Sequence, residues 1–194
     1  MPERKRIALL IDCDNVRPDA IEGVLDELAN YGMVNVRHAH GDWNSPQLSG
    51  WKDKLHPNAI RPMQQFAYTK GKNATDAAMI IDAMDLLHSG SVDAFALMTS
   101  DSDFTPLVLR LLESGTPVYG FGEHKTPKPF VDACSQFIYS ENLQPEDEDK
   151  AEPKSTPSKC SRNELRGDSS LVRLLRTAAE QTSEDDGWAQ MSKV

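Results

Sequence analysis

Apolar positions along this chain form short unbroken runs that alternate with stretches of helical period. Residues 7–11 (Ile-Ala-Leu-Leu-Ile) are apolar without alternation, the pattern of a strand covered on both faces in a parallel sheet, and they end in Asp12-Cys13-Asp14-Asn15. Pro18 then opens a helix whose apolar residues Ile21, Val24, Leu25 and Leu28 recur at helical spacing, and Tyr31-Gly32 closes it. Residues 33–39 predict a second strand, and residues 47–55 a short helix after the loop residues Asn44, Ser45 and Pro46. Residues 60–66 predict a third strand, which Pro62 confines to a sheet edge. A long helix is predicted over residues 76–88, with Thr75 as its cap, Met79, Ile80, Ala83, Met84 and Leu87 on one stripe, and Gly90 as its end. Residues 94–98 read as a buried strand. A helix over 104–114 follows, with Leu107, Val108, Leu111 and Leu112 inward, and then a strand over 117–121.

Strand and helix in alternation predict a doubly wound α/β domain with a mostly parallel central sheet of about five strands. Ligands of such sheets bind beyond the carboxyl ends of the strands, where the winding direction reverses. Asp12 and Asp101 both stand at strand carboxyl ends. If the two strands are neighbours at the reversal, their acids share one crevice, and Asp76, in the first turn of the long helix, approaches the same place.

The chain has 194 residues, 39% hydrophobic and 26% charged, enough for one globular domain and something extra. The α/β pattern occupies residues 5–143. Residues 144–166 turn acidic and then Ser/Thr/Pro/Lys-rich, with almost no large apolar side chain, which predicts a solvated linker. Residues 167–194 carry an amphipathic stretch, Leu171, Val172, Leu174 and Leu175, with nothing after it large enough to bury its face. The net charge of −9 advertises neither nucleic-acid nor membrane binding, so a polyanionic substrate would have to be met by local cations or a metal. Cys13, Cys134 and Cys160 are odd in number and scattered, which predicts free thiols in a reducing cytoplasm. Arg4-Lys5-Arg6 before the first apolar run mimics a signal peptide. That run stops at Asp12 without a small-residue cleavage site, and no stretch is long enough to span a bilayer.

The chemistry concentrates in Thr99-Ser100-Asp101-Ser102-Asp103-Phe104. Carboxylates at i and i+2 on a strand edge repel by roughly 4 kcal/mol at about 4 Å and an effective dielectric near 20, so a cation between them is expected. A plainer role for Asp103 is to cap the following helix, a role in which it is favoured over Asp101. Asp12, Asp76, Asp101 and Asp103, with the Asn15 amide, make a hard-metal constellation suited to Mg²⁺ or Mn²⁺ and to phosphoryl chemistry. A metal there would activate water and neutralise charge developing on a phosphodiester, while Asn15 orients the water or a phosphate.

Four lysines, Lys70, Lys72, Lys125 and Lys128, are expected in loops near the carboxyl edge, where they could contact phosphates or serve only as solvated loop residues. His38 and His40 alternate on a strand. Such a pair can bind zinc, but with no cysteine pair nearby, packing at the strand end is the reading. Trp43 and Trp51 could stack on bases, a contact of about 1–3 kcal/mol, although covering the core is the commoner role.

Four motifs carry a family resemblance. Ile11-Asp12-Cys13-Asp14-Asn15, Lys70-Gly71 leading to Thr75-Asp76, Ile81-Asp82-Ala83, and Thr99 through Phe104 resemble in order the motifs of the NYN domain, the LabA-like branch of the PIN-like nucleases. The resemblance spans residues 5–143 and implies a PIN-like three-layer α/β/α fold and metal-dependent endoribonuclease chemistry on RNA. Asp12, Asp76, Asp101 and Asp103 match the metal-binding acids, and Asn15 the polar residue beside the first. Asp82 matches a further helix acid, yet six residues beyond Asp76 it faces about 240° away, which predicts a supporting or surface role. Residues 169–194 resemble the opening third of a LOTUS (OST-HTH) RNA-binding domain, which implies contact with RNA, a protein partner or a second copy.

Two other readings remain open. Residues 9–16 also fit the aspartyl-phosphate signature of haloacid-dehalogenase-like phosphatases, but Lys125 follows the last acidic motif where those enzymes place a lysine before it. The second alternative is a non-catalytic RNA-binding or partner-recruiting module.

Overall fold

The computed structural model describes residues 4–65 and 74–143, all within the first of two units of the chain, Met1–Glu146. Lys70, Lys72, Cys160, the linker and the LOTUS-like segment lie outside the described residues. Six strands make one all-parallel sheet: β1 (Arg6–Asp12), β2 (Met33–Gly41), β3 (Arg61–Gln64), β4 (Ala94–Met98), β5 (Val118–Gly122) and β6 (Gln136–Tyr139). Their spatial order is β3-β2-β1-β4-β5-β6. The chain winds outward from β1 in one direction and, after β3, returns to the other side of β1. The reversal therefore falls between β1 and β4.

Alternate β1 residues serve opposite layers, as period-two side chains must. Ile7, Leu9 and Ile11 join one core with Ile21, Val24 and Leu28 of α1 (Ile21–Leu28) and Trp51 of α2 (Ser49–Leu55). Ala8 and Leu10 join the other with Met79 and Ala83 of α3 (Ala74–Ser89), Leu107, Val108 and Leu111 of α4 (Thr105–Glu113) and Phe130 of α5 (Lys128–Ala133). The result is a three-layer α/β/α fold. Burial on both faces explains why β1 and β4 lack polar alternation.

Several expectations need adjustment. The sheet has six strands, because residues 136–139, too short and mixed to announce themselves, add the outermost one beside β5. Thr75 is the second residue of α3 and not its cap. Before α4, Ser102–Phe104 forms a 3-10 turn, and its cap is Asp101, whose Oδ1 accepts the Asp103 N–H at 2.9 Å. The capping carboxylate is thus the earlier acid, since the turn begins two residues sooner than the apolar period suggested. As expected, β3 with Pro62 is an edge strand and Gly90 (φ 64°) follows the end of α3; Gly115 (φ 78°) does the same after α4.

Gly23 of α1 lies against the 3-10 turn Ser140–Leu143 so closely that a Cβ would come 2.1 Å from the Leu143 carbonyl oxygen. Gly23→Ala would gain about 1 kcal/mol of helix propensity, but overpacking against backbone costs about 1–3 kcal/mol. The expected outcome is a lowered urea midpoint, measured by circular dichroism.

Candidate metal centre at the winding reversal

Asp12 closes β1 with no solvent exposure at all. Its Oδ2 accepts two hydrogen bonds, from Asn15 Nδ2 at 2.8 Å and from Thr99 Oγ1 at 2.8 Å. Its Oδ1 is buried and has no hydrogen-bond partner. Burial pushes the Asp12 carboxyl up to about 6, with Asp76 and Asp14 adding to the rise and the Asn15 and Thr99 bonds opposing it. A buried carboxylate oxygen without a donor costs about 1–3 kcal/mol or more, and a cation is the group that would reverse that cost.

Thr99 joins the two strand ends. Its hydroxyl donates to Asp12 and accepts the Asp101 N–H at 3.1 Å, so one fully buried threonine ties the loop after β4 to the end of β1. The sequence reading included Thr99 in the motif without giving it this task; the signal was a hydroxyl at the last buried position of an apolar strand. Asp76, half-buried near the start of α3, has its carboxyl raised by burial and then by the charges of Asp101, Asp14 and Asp103. The charges of Asp101, Asp14 and Asp103 act on Asp76, and those of Asp76 and exposed Asp14 act on Asp12, but among the described residues the one group of three or more histidine, cysteine or acidic side chains with donor atoms within 4.8 Å of one another is His38, His40 and Asp82. Asn15 joins the acids through its side-chain bond to Asp12.

Carboxylate oxygens alone are hard ligands suited to Mg²⁺ or Mn²⁺, and Asp12 Oδ1 is a buried acceptor in need of a positive partner. Cys13, next in the chain, is no competing nucleophile, because burial, with Asp12 and Asp14 nearby, pushes its thiol far up.

The remaining candidates fall elsewhere. Lys128 opens α5 instead of lying in a loop, and its Nζ pairs with Asp132 at 2.7 Å. Lys125 pairs with Glu123 at 2.8 Å. Both are exposed, and each has an acidic partner. Trp51 covers the core, its indole N–H donating to the Val16 carbonyl, and Trp43 donates to the Met63 carbonyl.

His38 and His40 do more than pack at a strand end. His38 Nδ1 lies 2.7 Å and His40 Nε2 3.0 Å from the same oxygen, Oδ2 of Asp82 in α3. Burial would raise the Asp82 carboxyl, but the two histidine contacts prevail and hold it well below the usual carboxylate range. The alternate spacing of the histidines and the helix position of Asp82 were each legible. Their meeting required α3 to cross β2.

A parallel sheet with its reversal at β1 and β4 and a cluster of acids at that point define the chain as a PIN-like α/β domain. A family profile for the NYN domain matches residues 6–141, so the chain belongs to the NYN domain family, whose members are generally PIN-like nucleases. Among solved structures, a Vibrio parahaemolyticus protein of unknown function superposes with a TM-score of 0.59 at 20% identity, over 72% of this chain and 94% of that one. That likeness concerns the fold. Among curated proteins, none matches the chain in sequence. Among the described residues, no helix is long and apolar enough to cross a membrane.

Proposed function

We propose that this chain is a divalent-metal-dependent ribonuclease that hydrolyses RNA phosphodiester bonds in the cytoplasm. The observation that carries the reading is Asp12: a buried carboxylate at the winding reversal, with one oxygen unpartnered and the charges of Asp76 and Asp14 acting on it. Asp12, Asp76, Asp101 and Asp103 would hold Mg²⁺ or Mn²⁺. The ion would supply water activation and neutralise charge developing on the scissile phosphate. Asn15 and Thr99 fix the orientation of the Asp12 carboxylate, and Asp101, through its cap on Ser102–Phe104, fixes the loop that carries Asp103. Choice of RNA would come from loops around the acids and from residues 167–194, the LOTUS-like segment, which would also be the place for a protein partner or a second copy.

Asp101→Asn tests the reading cleanly. Asn caps helices about as well as Asp, so the turn should persist while one negative charge disappears. Labelled single-stranded RNA should be cleaved by the native chain with Mn²⁺ and not with EDTA, and cleavage by the variant should fall by roughly 10²-fold, as expected for several kcal/mol of lost metal-assisted stabilisation. Full Mn²⁺-dependent cleavage by the variant would defeat the assignment. Measurable Mg²⁺ affinity without turnover on varied RNAs would point to the non-catalytic module.

A further inference from the structure

We propose that His38, His40 and Asp82 form a second cation site, one that takes a transition-metal ion of the Zn²⁺ class and not the hard ion suited to the carboxylate group. Two imidazoles from one face of β2 and a carboxylate from α3 bring their donor atoms within 4.8 Å of one another. Imidazole nitrogens select zinc and its neighbours over Mg²⁺, whereas the all-oxygen group around Asp12 does the reverse. Ligand atoms around zinc stand about 2.0–2.2 Å from the ion, which places them roughly 3–3.5 Å apart. The spacings of 2.7 and 3.0 Å to Asp82 Oδ2 need to widen by up to roughly 0.8 Å to reach that range, and the two imidazole donors, within 4.8 Å of each other, need to close toward it.

A second, independent observation concerns the far side of the His40 ring. His40 is 1% exposed and its Nδ1 has no hydrogen-bond partner, and the only other buried side-chain nitrogen or oxygen without one among the described residues is Asp12 Oδ1. These two residues are register partners on adjacent strands, Asp12 on β1 and His40 on β2. An ion on Nε2 leaves the ring proton on Nδ1 and makes that atom a donor, while Asp12 Oδ1 is an acceptor. Neither atom has a hydrogen-bond partner, so the two are not bonded to each other as they stand; a proton fixed on Nδ1 by coordination would give them complementary roles, the kind of support that zinc-bound imidazoles draw from a carboxylate or carbonyl. The carboxylates nearby favour arrival of a cation. His38 and Asp82 keep 15% and 14% side-chain exposure, enough of an opening for ion entry and for water as the remaining ligand.

The test is zinc titration of the full chain in excess Mg²⁺, which occupies the carboxylate group, followed by long-range ¹H–¹⁵N spectra of the histidine rings. One equivalent of Zn²⁺ should shift the ring nitrogens of His38 and His40 and leave those of His56, His88 and His124 unmoved. Asp82→Asn should weaken zinc binding by more than the roughly 10–100-fold that loss of an outer-shell partner costs, and Asp101→Asn should keep it. Unmoved His38 and His40 resonances in the native chain would overturn the proposal and leave the trio as a hydrogen-bonded clamp between β2 and α3. Equal zinc shifts in folded Asp82→Asn would do the same. The native spectrum can overturn the proposal by itself, so failure of the variant to fold leaves the test intact, and absence of RNA cleavage has no bearing on it.

Discussion

Asp12→Asn is expected to cut metal-dependent RNA cleavage by roughly 10²–10³-fold while making the metal-free protein more stable at neutral pH. Both outcomes have one cause. The folded carboxyl is held at about 6 by burial, against 3.8 for an ordinary aspartate. Stability that depends on the protonated acid is fully present below about pH 4 and is lost as the pH rises through 6. By pH 7 the buried charge costs about 3 kcal/mol, the free energy of a shift of about two pKa units. Asn carries no charge to bury, and its amide oxygen can still accept the bonds of Asn15 and Thr99. Melting curves without metal should therefore converge near pH 4 and separate above pH 6, with the variant higher by roughly 10 °C for a domain of this size.

Added Mn²⁺ should raise the native melting temperature at pH 7 and leave the variant nearly unmoved, since the ion takes the place of the proton on Asp12 only where a carboxylate stands. Cleavage in Mn²⁺ should fall by roughly 10²–10³-fold in the variant, and native metal affinity should drop below about pH 6 as the proton competes. A native protein whose metal-free stability is flat between pH 4 and 8 would contradict the account of Asp12.

Phe104→Ala is expected to cost about 3–5 kcal/mol, the usual cost of emptying a buried aromatic site, against a total stability of about 5–15 kcal/mol for a typical domain. Phe104 is the last residue of the 3-10 turn that carries Asp103, and at 1% exposure it is set into the core shared by α3, α4 and α5. It anchors the acidic loop as much as it fills space. Urea unfolding should show the lost stability. Cleavage measured well below the unfolding midpoint should also fall, because Asp101 and Asp103 lose the anchor of the turn that carries them. A folded variant with native cleavage would show that the cap at Asp101 holds the loop without the phenylalanine.

The amphipathic period of residues 21–28 and of Met79, Ala83 and their neighbours was sufficient to place α1 and α3, because a helix that must bury one stripe has few other ways to be written. The unbroken apolar runs of β1 and β4 announced strands covered on both faces for the same reason. The sixth strand was invisible: Gln136-Phe-Ile-Tyr139 is four residues long, and its pairing with β5 depends on where α5 returns the chain. Capping ahead of α4 was favoured at Asp103 and falls to Asp101, since a three-residue 3-10 turn precedes the helix and moves the first orphan N–H groups two residues back.

From the sequence alone came the strand-helix order, the acids at strand ends and the residue types that suit a hard ion, all of which are local properties of spacing and composition. Tertiary structure decided which strand ends are neighbours, that Thr99 joins Asp12 to Asp101, and that His38, His40 and Asp82 meet. Those contacts span 42 to 87 residues of chain, and no local pattern encodes them. They exist because β4 inserts beside β1 and because α3 crosses β2. That choice is made by burying two apolar faces of one sheet at once.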